Sequence, residues 1–546
     1  MQFYKSLINK LSYTTCQKGL FILLITCLNS INASSSLAKN QVSNDFSFTY
    51  NEISGPGKDQ SSLTDGYSYL NIMDVTGKGE TGNFDYYFNI GARFTDDEKI
   101  DTQTFLLTNL KAVISNEANS FHLGDVYREF SQYSLSTALK GGAFSFKNEN
   151  SGFPELEFIY GYADPRWDNF HGFGESYIDS IKRKVVGAKF SYNVFHDFKA
   201  GLSVVSTEDS ERVYNSDELY DIISYTLGWE CAFNPKLTIA GESSIADTIL
   251  SASPDAADTE LGGYAHKLTV KSGDGPGKLT IQYERVSPDY RTVVGTAISD
   301  REKAKVRLHY KYGEQLTIKT GLLWYRNNLN GEMDTRNDHY IPEISLVTKN
   351  MLGRDYSSTA ISYKLDITKE NNELTSRVDH IVNLNHKDRF GVFDSNSNFG
   401  FTSYEYNTDQ KEKNLEYICN TSLNANFTYD DFILKPGLRL GGWASRQELS
   451  NLTDKIYEYS LETDVHIPSV KISSNIQIGQ NKLEKKSGTD SMKSFARLNI
   501  YYKSDFLRKT KHGMIFLKAS INDYNYDNVD NDFRETSIVS GVNIKY

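Results

Sequence analysis

From about Asp45 onward, apolar and polar residues alternate at a spacing of two, interrupted by Gly, Pro, Asn and Asp. A period of two belongs to strands whose two faces meet different surroundings. In 305–312, Val306, Leu308, Tyr310 and Tyr312 alternate with Lys305, Arg307, His309 and Lys311. Beyond Gly313-Glu314, Leu316, Ile318, Leu322 and Trp324 alternate with Thr317, Lys319, Gly321 and Tyr325. Tyr457, Tyr459, Leu461 and Val465 alternate with Glu458, Ser460, Glu462 and Asp464. No amphipathic helix of any length is visible. Segments 46–53, 67–76, 86–94 and 105–115 also read as strands, although 45–127 admits a small plug-like unit instead. The pattern predicts an all-β chain.

The connections narrow the class. From Lys182 on, short and long ones take turns. Short turns are expected at 195–197, 234–235, 273–277, 313–314, 386–389, 430–431 and Pro468. Between them lie polar stretches at 207–219, 247–263, 287–302, 327–340, 408–414, 446–455, 481–492 and 525–533. A soluble sandwich has no reason to lengthen every second connection. A transmembrane barrel does, with short turns toward the periplasm and long loops outside. Counting back from the C-terminus gives about 26 antiparallel strands, with 22 as a lower bound. The expected fold is therefore a single large antiparallel transmembrane β-barrel over 39–546.

The last ten residues, SIVSGVNIKY, are one more alternating strand. Gly541, Ile544 and Tyr546 resemble the glycine, hydrophobic and terminal-aromatic positions of the C-terminal assembly signal of Gram-negative outer-membrane β-barrels. Val539 departs from that signal, which usually has a polar residue there, and Tyr stands for the commoner Phe. The resemblance implies insertion by the barrel-assembly machinery into outer-membrane lipid. A fainter one, over about forty residues, links Leu123-Gly124-Asp125, Gly141-Gly142-Ala143 and Gly161-Tyr162-Ala163 to the barrel of fimbrial ushers.

Composition agrees. The 546 residues include 36 Tyr and 30 Phe, which cluster near strand ends, where a ring suits the membrane interface. A low mean hydropathy of −0.50 is compatible with a barrel, because only alternate residues meet lipid. At the N-terminus, Lys5, Lys10 and Lys18 precede the apolar run 20–28 and then small residues, so 1–38 reads as a secretory signal peptide. Cys231 and Cys419 are far apart in the remaining chain, with no metal-site or disulfide spacing. A net charge of −11 argues against nucleic acid as a partner.

No nucleophile elbow, zinc-binding helix or phosphate loop is present, so neither an enzyme nor a cofactor is expected. The informative chemistry lies on the face expected to line the lumen. Lys267, Lys271, Lys278, Lys305, Arg307, Lys311 and Lys319 fall there, opposed locally only by Glu284. Glu458, Glu462 and Asp464 share the same face further on. Charges along a low-dielectric wall concentrate solutes of opposite sign. The connection 164–180 is rich in rings, with Trp167, Phe170, His171, Phe173 and Tyr177. Rings left in water expose apolar surface, so this loop is expected to fold inward as a constriction against Lys305, Arg307 and Lys311. The chain is thus expected to pass small hydrophilic solutes, with an anionic bias, across a bacterial outer membrane. The other reading is a structural, adhesive or export platform working through its external loops.

Overall fold

The computed structural model describes residues 39–147, 153–164, 166–167, 181–195, 197–210, 214, 217–254, 257–350, 353–354, 356–370, 376–407, 412–486, 488–503 and 512–545. The leader, 1–38, lies outside them. The described residues form 27 strand segments in one sheet. Each segment is antiparallel to its neighbours, and Phe427–Tyr429 merely prolongs Glu412–Ala425. That leaves 26 staves. The first strand, Lys39–Ser54, pairs with Gly66–Thr81 on one side and with the last strand, Phe533–Lys545, on the other. The seam runs from Ser43↔Lys545 to Ser54↔Arg534. Closing the sheet leaves no free edge at the chain ends.

Directly paired residues share a face, so the register carries each face round the wall. Tyr310, Ile318, Leu346, Ile361 and Leu384 form an apolar row across five strands. Tyr310, Leu346 and Ile361 are exposed, as are Val306, Leu308 and Leu322 on the same face. The opposite face reads His309, Lys319, Ser345, Ser362, Asn383 and Gly400 across six strands. An exposed apolar outside and a polar inside reverse the ordinary pattern of a soluble barrel.

Both described ends of the chain lie at one end of the barrel, where the turns 82–83, 235–236, 275–276, 391–392 and 430–431 have two residues each. The strand Ser376–Phe390 runs past the turn expected at 386–389, because Gly391 (φ 61°) supplies the reversal. At the opposite end the connections are longer, such as 287–300 and 328–336. The alternation is not strict. Connections 350–357 and 503–511 are long ones at the short-turn end, and 132–134 is a short one at the other.

That short connection marks the main departure from a plain barrel. The strand Asn119–Ser131 pairs with Phe105–Ser115 only from Lys111↔Gly124 to Ser115↔Ser120. Its partner Leu135–Phe146 pairs with Glu155–Ala163 only from Lys140↔Tyr162 to Phe146↔Leu156. Residues 126–131 and 135–139 pair in the sheet only with each other and turn into the lumen. The bend sits on Gly124, Gly141 and Gly161, which are directly paired across three strands. A Cβ on Gly124 would lie 1.9 Å from the Leu110 carbonyl oxygen, and one on Gly141 would lie 2.1 Å from that of Tyr160. Gly124 also has φ 92°, which other residues rarely adopt.

A cysteine placed at Leu308 should react with a membrane-dissolved reagent, and one at Arg307 only with a water-soluble one. The opposite labelling would reverse the two faces.

Candidate functional site

The inward hairpin is held by its tip. Tyr133 is fully buried and meets the equally buried Tyr290 edge to face, with centroids 6.1 Å apart. Tyr290 belongs to the connection 287–300, whose middle folds inward over the tip. Its hydroxyl donates to the Tyr133 carbonyl (2.8 Å) and lies 2.9 Å from Ser244 Oγ on the inner wall. Burial pushes the Tyr290 hydroxyl up to about 12 and raises that of Tyr133 as well, so both remain donors at neutral pH. Backbone bonds join the two inward segments: Ser136 N–H to the Val294 carbonyl, and Thr296 N–H to the Gln132 carbonyl, both 2.8 Å.

Glu284 is the polar anchor. Its carboxylate accepts from Tyr133 Oη (3.1 Å) and from Gln132 Nε2, and pairs with Lys303 Nζ at 2.5 Å. Lys267 Nζ donates to Gln132 Oε1 at 2.8 Å. Lys189 Nζ donates to the Phe130 carbonyl at 3.2 Å. Apolar packing completes the dock. Val126, Phe130, Leu135 and Leu139 of the hairpin pack with Val185, Val205 and Val294. Tyr133 and Tyr290 pack with Ile222, Ala246, Ala265 and Val286.

The hairpin root is satisfied by one carboxylate. Asp125 accepts from Leu110 N–H (2.7 Å), Lys140 Nζ (2.9 Å) and Trp167 Nε1 (2.9 Å). The Lys140 ammonium also lies 4.9 Å from the Trp167 ring centre. Trp167 therefore sits at the root of the hairpin. Its loop companions Phe170, His171, Phe173 and Tyr177 lie outside the described residues.

The register puts Lys267, Lys271, Lys278, Lys305, Arg307, Lys311 and Lys319 on the inward face. They do not act alike. Lys267 is engaged by the hairpin tip. Arg307 lies 4.0 Å from Glu343, with its side chain 60% exposed. Lys271, Lys278, Lys305, Lys311 and Lys319 form no ion pair among the described residues. Of the acids on the same face, Glu284 is held by the tip and Lys303, Glu242 stands directly opposite Lys267, and Glu343 is the acid near Arg307. Glu458, Glu462 and Asp464 share the inward face of Leu452–Ile467, in a different sector. There Glu462 pairs with Arg439 at 2.5 Å, and Asn475 bridges Glu462 and Asp464 at 3.1 and 2.7 Å. In the last strand, Gly541 faces inward, where a Cβ would lie 2.4 Å from the Phe516 ring. Ile544 faces outward opposite Asn44, and Tyr546 lies outside the described residues.

The sequence reading missed the hairpin and the inward turn of 287–300. A signal was present in the inward phase, which is polar in most strands but carries Val126, Phe130, Leu135 and Leu139 here. Val185, Val205 and Ile222 answer them on the wall.

In lipid every backbone polar group must be paired within the protein, which only helices and closed barrels achieve. A closed barrel with an apolar outside and a hydrated, charged inside is a transmembrane barrel. In bacteria its place is the outer membrane. The chain is an outer-membrane β-barrel. No family model and no curated protein matches it. Solved structures resemble it at low identity. A pilus tip assembly intermediate from Escherichia coli, PapC-PapD-PapK-PapG, is 10% identical with a TM-score of 0.47, covering 92% of this chain and 60% of that one. The outer membrane transporter YddB from Escherichia coli is 8% identical with a TM-score of 0.41, covering 93% and 81%. An anion-selective porin from Comamonas acidovorans is 12% identical with a TM-score of 0.31, covering 53% and 89%.

Glu284→Ala should leave Tyr133, Gln132 and Lys303 without their shared acceptor, at a cost of roughly 3 kcal/mol for breaking a buried charged contact. Amide exchange in 125–139 should accelerate while the wall strands stay protected. Unchanged exchange there would mean that the carboxylate does not hold the tip.

Proposed function

We propose that the barrel is a passive, porin-like route for small hydrophilic solutes, with a bias toward anions along one wall. The observation that carries this reading is the row of inward lysines, Lys271, Lys278, Lys305, Lys311 and Lys319, that form no ion pair among the described residues. Unpaired cations on a low-dielectric wall attract anions into the adjoining water. The inward hairpin and the connection 287–300 pack against one sector of the wall, that of strands Arg183–Phe195 to Gly277–Val286, and so narrow the lumen from that side.

Planar-bilayer recording on the refolded chain tests this. The full chain should conduct, with a reversal potential in a salt gradient that favours chloride. Arg307→Glu should shift that potential toward cations. Replacing 126–138 by a short glycine linker should raise unitary conductance at least twofold. A bilayer that stays silent with correctly folded protein would turn the reading toward a structural, adhesive or export platform.

Assembly belongs to the same proposal. The terminal strand resembles the signal read by the barrel-assembly machinery, and residues 1–38 resemble an export leader. Tyr546→Ser should lower the amount of heat-modifiable barrel in the membrane several-fold without lowering synthesis. Normal membrane levels would show that the last aromatic is not needed for insertion.

A further inference from the structure

A different sector of the inner wall has a different chemistry. Across the strands Phe393–Asn407, Glu412–Ala425, Phe432–Gln447, Leu452–Ile467 and Ile472–Glu484, one row of paired positions reads Asn398, Asn420, Gly441, Glu458 and Asn481. The side-chain amides of Asn398, Asn420 and Asn481 make no hydrogen bond among the described residues, and all face the lumen. Each carboxamide offers two donors and an acceptor. Adjacent strands lie about 4.8 Å apart, so the row presents such groups across some 20 Å of wall.

The row lines a groove of about 380 Å³. On its flank, the Phe495 ring reaches across Gly479, where a Cβ would lie 2.5 Å from Cζ. The Arg497 guanidinium stacks 4.7 Å from that ring's centre and donates from Nη1 to Gln477 Oε1 at 3.3 Å. The groove also carries charges of both signs: Arg439 is paired with Glu462, Lys493 donates to Tyr524 Oη at 2.8 Å, and Glu458 forms no ion pair among the described residues. Unspent carboxamides beside an aromatic ring, with carboxylate and cationic groups that also bond hydroxyls, suit a ligand that has hydroxyl groups along its edges and C–H groups on its faces. Exchanging water for such hydroxyls is nearly neutral, so the ring contact supplies most of the affinity.

We infer that this groove is a binding subsite for a neutral, hydroxyl-rich oligosaccharide. The inference deepens the passage reading by naming a solute class, and binding itself is measurable without conductance. The probe is maltohexaose. Calorimetry on the whole barrel in detergent should give saturable binding with Kd on the order of millimolar. Phe495→Ala should weaken it at least fivefold, and so should Asn398→Ala combined with Asn420→Ala, with heat-modifiable mobility retained. Lys319→Ala, in the basic sector, should leave it unchanged. In bilayers the sugar should interrupt the current, and those interruptions should shorten in the same variants. Binding in detergent with a silent bilayer keeps the subsite and overturns passage. Conduction without saturable maltohexaose binding, or binding indifferent to both groove variants, overturns the subsite.

Discussion

The need to pair every backbone polar group away from water governs this chain. It forces the first strand onto the last, from Ser43↔Lys545 to Ser54↔Arg534. Once the sheet closes, the two-residue period has one consequence. Alternate residues belong to lipid and the rest to the lumen. The rows that begin at Tyr310 and at His309 are the two outcomes of that single constraint.

The hairpin is where the constraint is relaxed. Residues 105–110 lose their sheet partner on one side, because 125–139 have left the wall. The Asp125 carboxylate recovers one of the lost bonds, on Leu110 N–H. The rest of the compensation is apolar. Leu135 and Leu139 are buried to 1% exposure or less, and burying each such side chain stabilises by roughly 2 kcal/mol. Backbone bonds from 294–296 serve part of the hairpin's free edge. A wall from which the ends of two strands are displaced is therefore kept by a miniature core inside the lumen.

Most of the wall was legible in the sequence, because the period of two and the spacing of the turns both survive into the structure. The faces of 305–325 were readable residue by residue. The inward hairpin was not, because a strand that leaves the wall keeps the same alternation as one that stays. Only its apolar inward phase betrays it, and that phase gains meaning once Val185 and Val205 are known to stand opposite. The carboxamide row was hidden for another reason. Asn398, Asn420 and Asn481 are scattered in sequence and meet only through the register of five strands. The same register separates the lysine sector from the acids at Glu458, Glu462 and Asp464, a separation that composition cannot reveal.

Whether the lumen is narrowed from within is decided by one distance. Spin labels at Gln132, on the hairpin tip, and at Lys267, on the wall, can be measured by double electron–electron resonance in detergent and in lipid. The docked hairpin predicts a narrow distribution at or below about 20 Å in both. A hairpin lying in the wall would stand six strands away, at roughly 25–30 Å given the strand spacing, and a long or broad distribution would contradict the docked arrangement.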